Sequence, residues 1–357
     1  MTIAAAVNEN FANYSNYLIY SAMTVYTLAF LAHMAEWVFG SRSRVAITAA
    51  ALTAPAAAPA IEVVQRGGGT ATLERPKVVT RSTASDRGIP DGPGAAGTDA
   101  DGDKYGRIAV SLTVLAFVFH LAAVACRAAS VQRVPWGNMY EFSTTFGMVA
   151  VGMYLALLAL KKRVRWIGLF LVTSVLLDLG LAVAVLYTDS DQLVPALHSY
   201  WLWIHVSCAI ISGAVFYLAA VGTFLFLFRD FYEAALTAGR AVNPTWANIM
   251  NRLPSAATLD KFAYRMNALV FPLYTFTVIA GSIWAQAAWG RYWGWDPKET
   301  WSFITWVAYA CYLHARATAG WKGRKAAALA LVAFACFIFN YYGVNIFITG
   351  KHSYAGV

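Results

Sequence analysis

The chain has 357 residues, of which 59% are hydrophobic and only 13% charged, and its mean hydropathy is +0.53. Soluble domains carry about a quarter charged residues, so this composition excludes a soluble globular protein and points to a membrane. The formal net charge of +9 is then read through its distribution between loops, not as a nucleic-acid footprint.

Eight apolar stretches reach the roughly 18 residues that a bilayer crossing needs. They cover about 17–39, 108–129, 142–160, 166–187, 201–228, 266–288, 297–317 and 325–347. The N-terminus lacks a basic n-region and a cleavage site, so the first stretch is expected to be a retained helix. Residues 40–105 are of another kind. Ala-Pro repeats, Gly67-Gly68-Gly69 and the Gly-, Ala-, Pro- and Asp-rich run from Gly88 to Asp103 cannot bury enough apolar area to fold. They are expected to form a disordered cytoplasmic linker between an N-terminal transmembrane helix (1–39) and a seven-helix membrane domain (106–357). With 40–107, 161–165, 229–265 and 316–325 on the cytoplasmic side, 22 of the 27 Lys and Arg are inside, a strong positive-inside bias. The expected architecture is therefore all-α and polytopic, with about eight transmembrane helices and both termini extracytoplasmic.

The densest chemistry lies at 289–301. Trp289-Gly290-Arg291-Tyr292-Trp293-Gly294-Trp295-Asp296-Pro297-Lys298-Glu299-Thr300-Trp301 holds four of the 13 tryptophans. An interfacial belt places one or two aromatics at a helix end. Four in a glycine-hinged segment make a shelf suited to a large planar ligand. Within it, Asp296, Pro297 and Glu299 read as N-cap, N1 and N3 of a helix start.

The four cysteines, Cys126, Cys208, Cys311 and Cys336, form no Cys-x-x-Cys pair and read as small buried hydrophobes. The six histidines are His33, His120, His198, His205, His314 and His352. Imidazole is a standard axial ligand of haem iron. His205, near the outer end of the fifth span, and His352, in the outer C-terminal tail, can converge with the tryptophan segment on one membrane face. His198 is a rival, because a helix beginning at Pro195 would put it on the face of His205. His314 lies 17 residues beyond Pro297, ~26 Å along a helix and close to the cytoplasmic boundary. Intramembrane ionisable residues are functional candidates by default; His33, Glu36, His120 and Asp178 share that status, and His33 sits at a depth comparable to His314. No Ser-His-Asp set, phosphate loop or HExxH motif is present.

Taken together these residues resemble a known family. The segment from Trp289 to Trp301, continued by Ser302-Phe303-Ile304-Thr305-Trp306, resembles the WWD motif of the haem-handling membrane proteins. More closely, it resembles the large haem-handling subunit of the System II cytochrome c synthase of bacteria and chloroplasts. Pro135 to Phe142, Val194 to Val206, Tyr312-Leu313-His314-Ala315-Arg316 and His352-Ser353-Tyr354 resemble further family elements, in order, across most of 105–357.

The resemblance implies that His205 and His352 ligate haem iron beside Trp289, Trp293, Trp295, Asp296 and Trp301, and that His205 is favoured over His198. It implies that His314 helps hold haem b arriving from the cytoplasm. The second intramembrane ligand would then come from the System II partner membrane subunit, whose large extracytoplasmic domain this chain lacks; His33 and His120 are the alternatives within the chain. The expected activity is that of a holocytochrome c synthase component, a haem lyase. It would take haem through the cell membrane and present it on the extracytoplasmic face for thioether attachment to apocytochrome c. A haem exporter or chaperone that passes haem on unattached is the alternative, and a generic transporter with aromatic interface decoration is a third reading. No catalytic residue is expected beyond the haem-positioning site.

Overall fold

A computed structural model describes residues 7–39, 87, 89, 104–192, 197 and 199–352. Every regular element among the described residues is a helix, with no strand. In chain order the helices are α1 (Glu9–Phe39), α2 (Lys104–Val131), α3 (Met139–Ala159), α4 (Gly168–Ala184, entered through a 3₁₀ turn at Arg165–Ile167) and α5 (Tyr200–Thr237). They continue with α6 (Pro244–Met250), α7 (Ala256–Trp289), α8 (Pro297–Ala317), α9 (Arg324–Ile338), a π-helical turn at Phe339–Gly343 and α10 (Val344–Phe347). The expected linker at 40–105 lies almost wholly outside the described residues.

Seven helices among the described residues are long and apolar enough to cross a membrane, and the chain is a multi-pass membrane protein. The expected span at 297–317 forms the helix α8, 21 residues or ~32 Å long, but it is not among those seven. It falls short on composition: Lys298, Glu299, His314 and Arg316 sit near its ends, and Ser, Thr and Tyr interrupt its middle.

In a bilayer no water separates helices, so their association relies on close approach and interhelical hydrogen bonds. The α1–α2 seam is built that way. Ala22 and Ala29 on α1, and Ala109, Ala116 and Ala123 on α2, are fully buried at seven-residue spacing. Along the same seam the Ser15 hydroxyl donates to the Ala123 carbonyl at 2.9 Å, Tyr26 meets His120 at 3.3 Å and His33 meets Thr113 at 3.3 Å.

The centre of the bundle is the pair α5 and α7, of 38 and 34 residues. At ~57 and ~51 Å both outrun the ~30 Å hydrocarbon core. The excess of α5 carries a charged cluster at the end opposite the tryptophan segment. There Arg229 pairs with Glu233 at 2.8 Å, and Asp230 receives Arg324 at 2.7 Å and Arg87 at 2.7 Å. The hairpin α8–α9 closes the bundle against α5 and α7, and the π-turn at its end turns Tyr341 and Tyr342 inward. Tyr341 lies 2.7 Å from Ser143 on α3, and the Tyr342 hydroxyl donates to Asp178 on α4 at 2.8 Å. The four cysteines are free thiols.

Candidate functional site

At the tryptophan end, α3, α5, α7, α8, the π-turn and the C-terminal tail surround an open cleft with about 1270 Å³ of empty space, part of it continuous with the exterior. Its walls are mainly apolar and include the aromatic rings of Trp136, Phe142, Trp284, Trp293 and Tyr341. Two imidazoles face it, His205 and His352.

His205 lies in the second turn of α5, which starts at Tyr200 with Ser199 as N-cap. Its Nδ1 is 2.9 Å from the Thr277 carbonyl on α7. A carbonyl can only accept, so Nδ1 carries the proton and Nε2 is left as the basic nitrogen. The ring stacks on Trp284, with centroids 6.0 Å apart at 11°. Gly281 makes room for it: a Cβ there would come within 2.7 Å of His205 Cε1 and 2.8 Å of Nδ1.

His352 reaches the cleft from the tail. Its Nδ1 donates to Asp296 Oδ2 at 2.7 Å, and the backbone N–H of Lys351 donates to Asp296 Oδ1 at 2.7 Å. The ring edges sit against Trp289 at 4.8 Å and Trp284 at 5.4 Å. A Cβ on Gly350 would lie 2.8 Å from Asp296 Oδ1, so the tail approaches closely only because residue 350 is glycine.

Asp296 is thus more than a helix cap. The capping box is complete, with Asp296 accepting the N3 backbone N–H and Glu299 accepting that of Asp296 at 3.1 Å; Glu299 also accepts the Gly294 N–H at 2.8 Å and pairs with Arg291 at 3.1 Å. The Asp296 carboxylate also faces the tail. Burial pushes that carboxyl up, but the hydrogen bonds from the His352 ring and from the backbone N–H groups of Lys351 and Lys298 outweigh it and hold the group at about 2. A carboxyl depressed in the folded state contributes stability that is fully present above its ordinary value and is lost as pH falls through the depressed one. The tail is therefore anchored by an ionised group throughout the neutral range.

The expected tryptophans occupy different positions. Trp293 lines the cleft, and Trp289 backs His352. Trp301 packs on Phe339 of the π-turn, with centroids 4.3 Å apart. Trp295 is 66% exposed and has φ +58°, the left-handed region that bulky residues avoid unless their surroundings impose it; its ring meets Trp293 edge-on at 5.7 Å. The structure adds Trp136 and Trp284. Trp136 rides on a loop fixed by Glu141, which is fully buried and takes Arg127 at 3.0 Å, Arg133 at 2.8 Å and the Gly137 N–H at 2.8 Å. Trp136 stood within the Pro135–Phe142 element, whereas Trp284 lay inside an apolar span and gave no signal beyond core packing.

His314 is not part of this cleft. It lies in the last turn of α8 on an exposed face with Cys311, and its Nδ1 is 3.4 Å from the Thr318 hydroxyl. His33 is fully buried, with Nδ1 at 3.2 Å from Glu36 and Nε2 at 3.3 Å from Thr113, while Glu36 is held by Arg165 at 2.6 Å. His120 is enclosed beside Tyr26. Neither makes a contact with His314 among the described residues. His198, Ser353 and Tyr354 lie outside the described residues.

The family model for cytochrome c assembly proteins matches residues 136–352. The chain belongs to the cytochrome c assembly protein family. The matched span opens at Trp136 and closes at His352, so it takes in the whole cleft. Among relatives, a cytochrome c biogenesis protein CcsA of Synechococcus sp. (strain JA-3-3Ab) is 33% identical over 298 residues, covering 70% of this chain and 84% of the relative. CcsA of Trieres chinensis is 35% identical over 248 residues, covering 62% and 77%, and CcsA of Synechocystis sp. 34% over 265 residues, covering 62% and 79%. Membership gives this chain a role in cytochrome c maturation, as a CcsA-like, System II-type component.

The Asp296 anchor has a direct consequence. Asp296→Ala is expected to speed hydrogen–deuterium exchange of the Lys351 backbone N–H, which donates to Asp296, by about tenfold, corresponding to the loss of a charge-assisted hydrogen bond worth ~1.5 kcal/mol. Exchange measured by mass spectrometry in detergent checks it.

Proposed function

We propose that this family member is the haem-handling subunit of a holocytochrome c synthase, and that the cleft holds haem b as substrate with His205 and His352 on the two faces of its iron. The observation that carries this reading is the pairing of the two imidazoles. Each spends Nδ1 on a protein acceptor, so each offers Nε2 to one aromatic cleft. A hydrogen-bonded second nitrogen is the usual arrangement of a metal-ligating histidine, since it fixes the tautomer and the ring orientation. The cleft residues therefore fit a planar, iron-centred ligand. Stacked indoles and phenyl rings supply the apolar faces that a macrocycle needs.

Haem is taken to arrive from the cytoplasmic side, where His314 offers a first ligand on the exposed face of α8. A System II partner membrane subunit with a large extracytoplasmic domain would supply the opposing ligand, since His33 already has both ring nitrogens engaged. The substrate then moves to the cleft, on the extracytoplasmic face of the cell membrane. There an apocytochrome c presents a Cys-x-x-Cys-His segment. Each thiol adds across a haem vinyl group: a C–S bond forms, the vinyl double bond is consumed, and the thiol hydrogen passes to the neighbouring carbon. No oxidant is required by that balance. The protein's contribution is orientation and exclusion of water, because the reactive carbons belong to the substrate. His205 and His352 hold the iron, Thr277 and Asp296 hold the histidines, and Trp284, Trp293 and Trp136 hold the ring.

Replacing His205 or His352 by Gly is expected to remove one ligand while sparing the aromatic walls. Haem recovery and cytochrome c yield should each fall by roughly tenfold or more (~1.4 kcal/mol per tenfold), and added imidazole should restore a low-spin spectrum and part of the yield. His198→Gly should behave like the parent, and Trp293→Ala should not respond to imidazole, because a lost wall is not a lost ligand. An imidazole response at His198 and not at His205 would reassign the ligand; no response at any of the three would remove the haem site. Co-expression of the parent with its partner and an apocytochrome should give thioether-linked haem, whereas haem bound but never attached would favour an exporter or chaperone.

His314→Ala is expected to lower total haem recovered with the protein several-fold without altering the spectrum of the fraction that reaches the cleft. Normal haem recovery in that variant would end the role assigned to His314.

A further inference from the structure

Haem is not a symmetric ligand: one edge carries two carboxylates and the others carry methyl and vinyl groups. Seated between two histidines it could face either way, and only one orientation leaves the vinyl edge accessible to thiols. One charged side chain on the cleft wall is left over by the account above. Lys298, in the first turn of α8, lines the cleft. Its ammonium donates to the carbonyl of Asn340 in the π-turn at 2.8 Å and sits 5.8 Å from the centre of the Tyr341 ring.

The neighbouring charges are matched. Arg291 pairs with Glu299 and His352 with Asp296, but among the described residues no carboxylate lies within ion-pair distance of Lys298. An ammonium has three donors, and the protein carbonyl takes one. The Asp296 charge acts on it only from beyond contact distance, and lining an apolar cleft with a cation that no carboxylate contacts is costly unless something supplies a closer counter-charge. Other polar groups lie on the same wall. Asn340 donates through Nδ2 to Ser302 at 3.0 Å, and Asn345 also lines the cleft. Lys298, Ser302, Asn340 and Asn345 therefore form one polar corner in an otherwise apolar wall.

We propose that this corner is a carboxylate subsite, in which Lys298 pairs with a propionate of haem and so fixes which edge of the macrocycle is held against the π-turn and which is offered to the thiols. The inference rests on the haem reading of the cleft. It makes Lys298 a specificity and positioning residue, distinct from the two iron ligands.

The test is a two-by-two titration of the purified full-length chain, parent and Lys298→Met, with haem and with haem dimethyl ester, in which both carboxylates are neutralised. Affinity is read by Soret absorbance. The parent should bind haem at least tenfold more tightly than the ester, Lys298→Met should lose about tenfold for haem and little for the ester, and Lys298→Arg should recover part of the difference. The low-spin form of bound haem should persist in Lys298→Met, because neither ligand has been touched. Equal binding of haem and ester by the parent overturns the proposal without the use of any variant, as does an equal loss for both ligands in Lys298→Met. If the parent binds neither compound, the haem reading of the cleft falls, and the subsite with it.

Discussion

The hydrogen bond between Asp296 and His352 closes the tryptophan end of this molecule. It joins residues 56 positions apart, and it converts a short C-terminal tail into one wall of the cleft. Without it His352 would belong to an untethered segment, and the cleft would have one imidazole. The bond is short and charge-assisted, the class that holds geometry best, and it is doubled by the Lys351 backbone N–H on the other carboxylate oxygen. The two glycines that permit close approach, Gly350 under the carboxylate and Gly281 under His205, show how little clearance these contacts leave.

The opposite wall is fixed by different means toward the same end. His205 is on a rigid helix, and Thr277 on the neighbouring helix sets its tautomer. Under the proposed function, a ligand pair assembled from one rigid and one docked element would suit a substrate that must enter and leave. The α5–α7 pair provides the stationary face, and the tail provides a face whose loss costs two hydrogen bonds and a few ring contacts, not the fold. The loop that carries Trp136 is held as firmly as the helices, because Glu141 gathers two guanidinium groups and a backbone N–H in a buried position.

Much of this was legible from residue order. Apolar runs located the seven apolar helices, because length and hydropathy follow directly from the bilayer's thickness. The helix start at Asp296-Pro297-Lys298-Glu299 was legible from cap chemistry, and Pro297 and Glu299 occupy the expected positions. The cleft's composition was only half legible. Clustering singled out Trp289, Trp293, Trp295 and Trp301, yet the fold turns Trp295 outward through a left-handed backbone and sets Trp301 against the π-turn. Trp284 and His205 meet because α5 and α7 are neighbours, which no local pattern encodes. Asp296 is the cap that the sequence suggested, but its second role was hidden because that partner lies in the tail, and Lys298 looked like part of an interfacial helix start because its surroundings come from the π-turn. A π-turn has no hydropathy signature; it appears only when one extra residue is accommodated in a packed helix.

The central claim is that two imidazoles from distant parts of the chain bind one iron in the cleft. Electron paramagnetic resonance of the ferric, haem-loaded protein, with electron–nuclear double resonance on material labelled with ¹⁵N-histidine, reports iron ligation directly. The account predicts a low-spin centre coupled to two labelled imidazole nitrogens in protein carrying Ala at His314, His33, His120 and His198, so that His205 and His352 are the source. A high-spin centre, or a centre coupled to a single histidine nitrogen in that background, would contradict it.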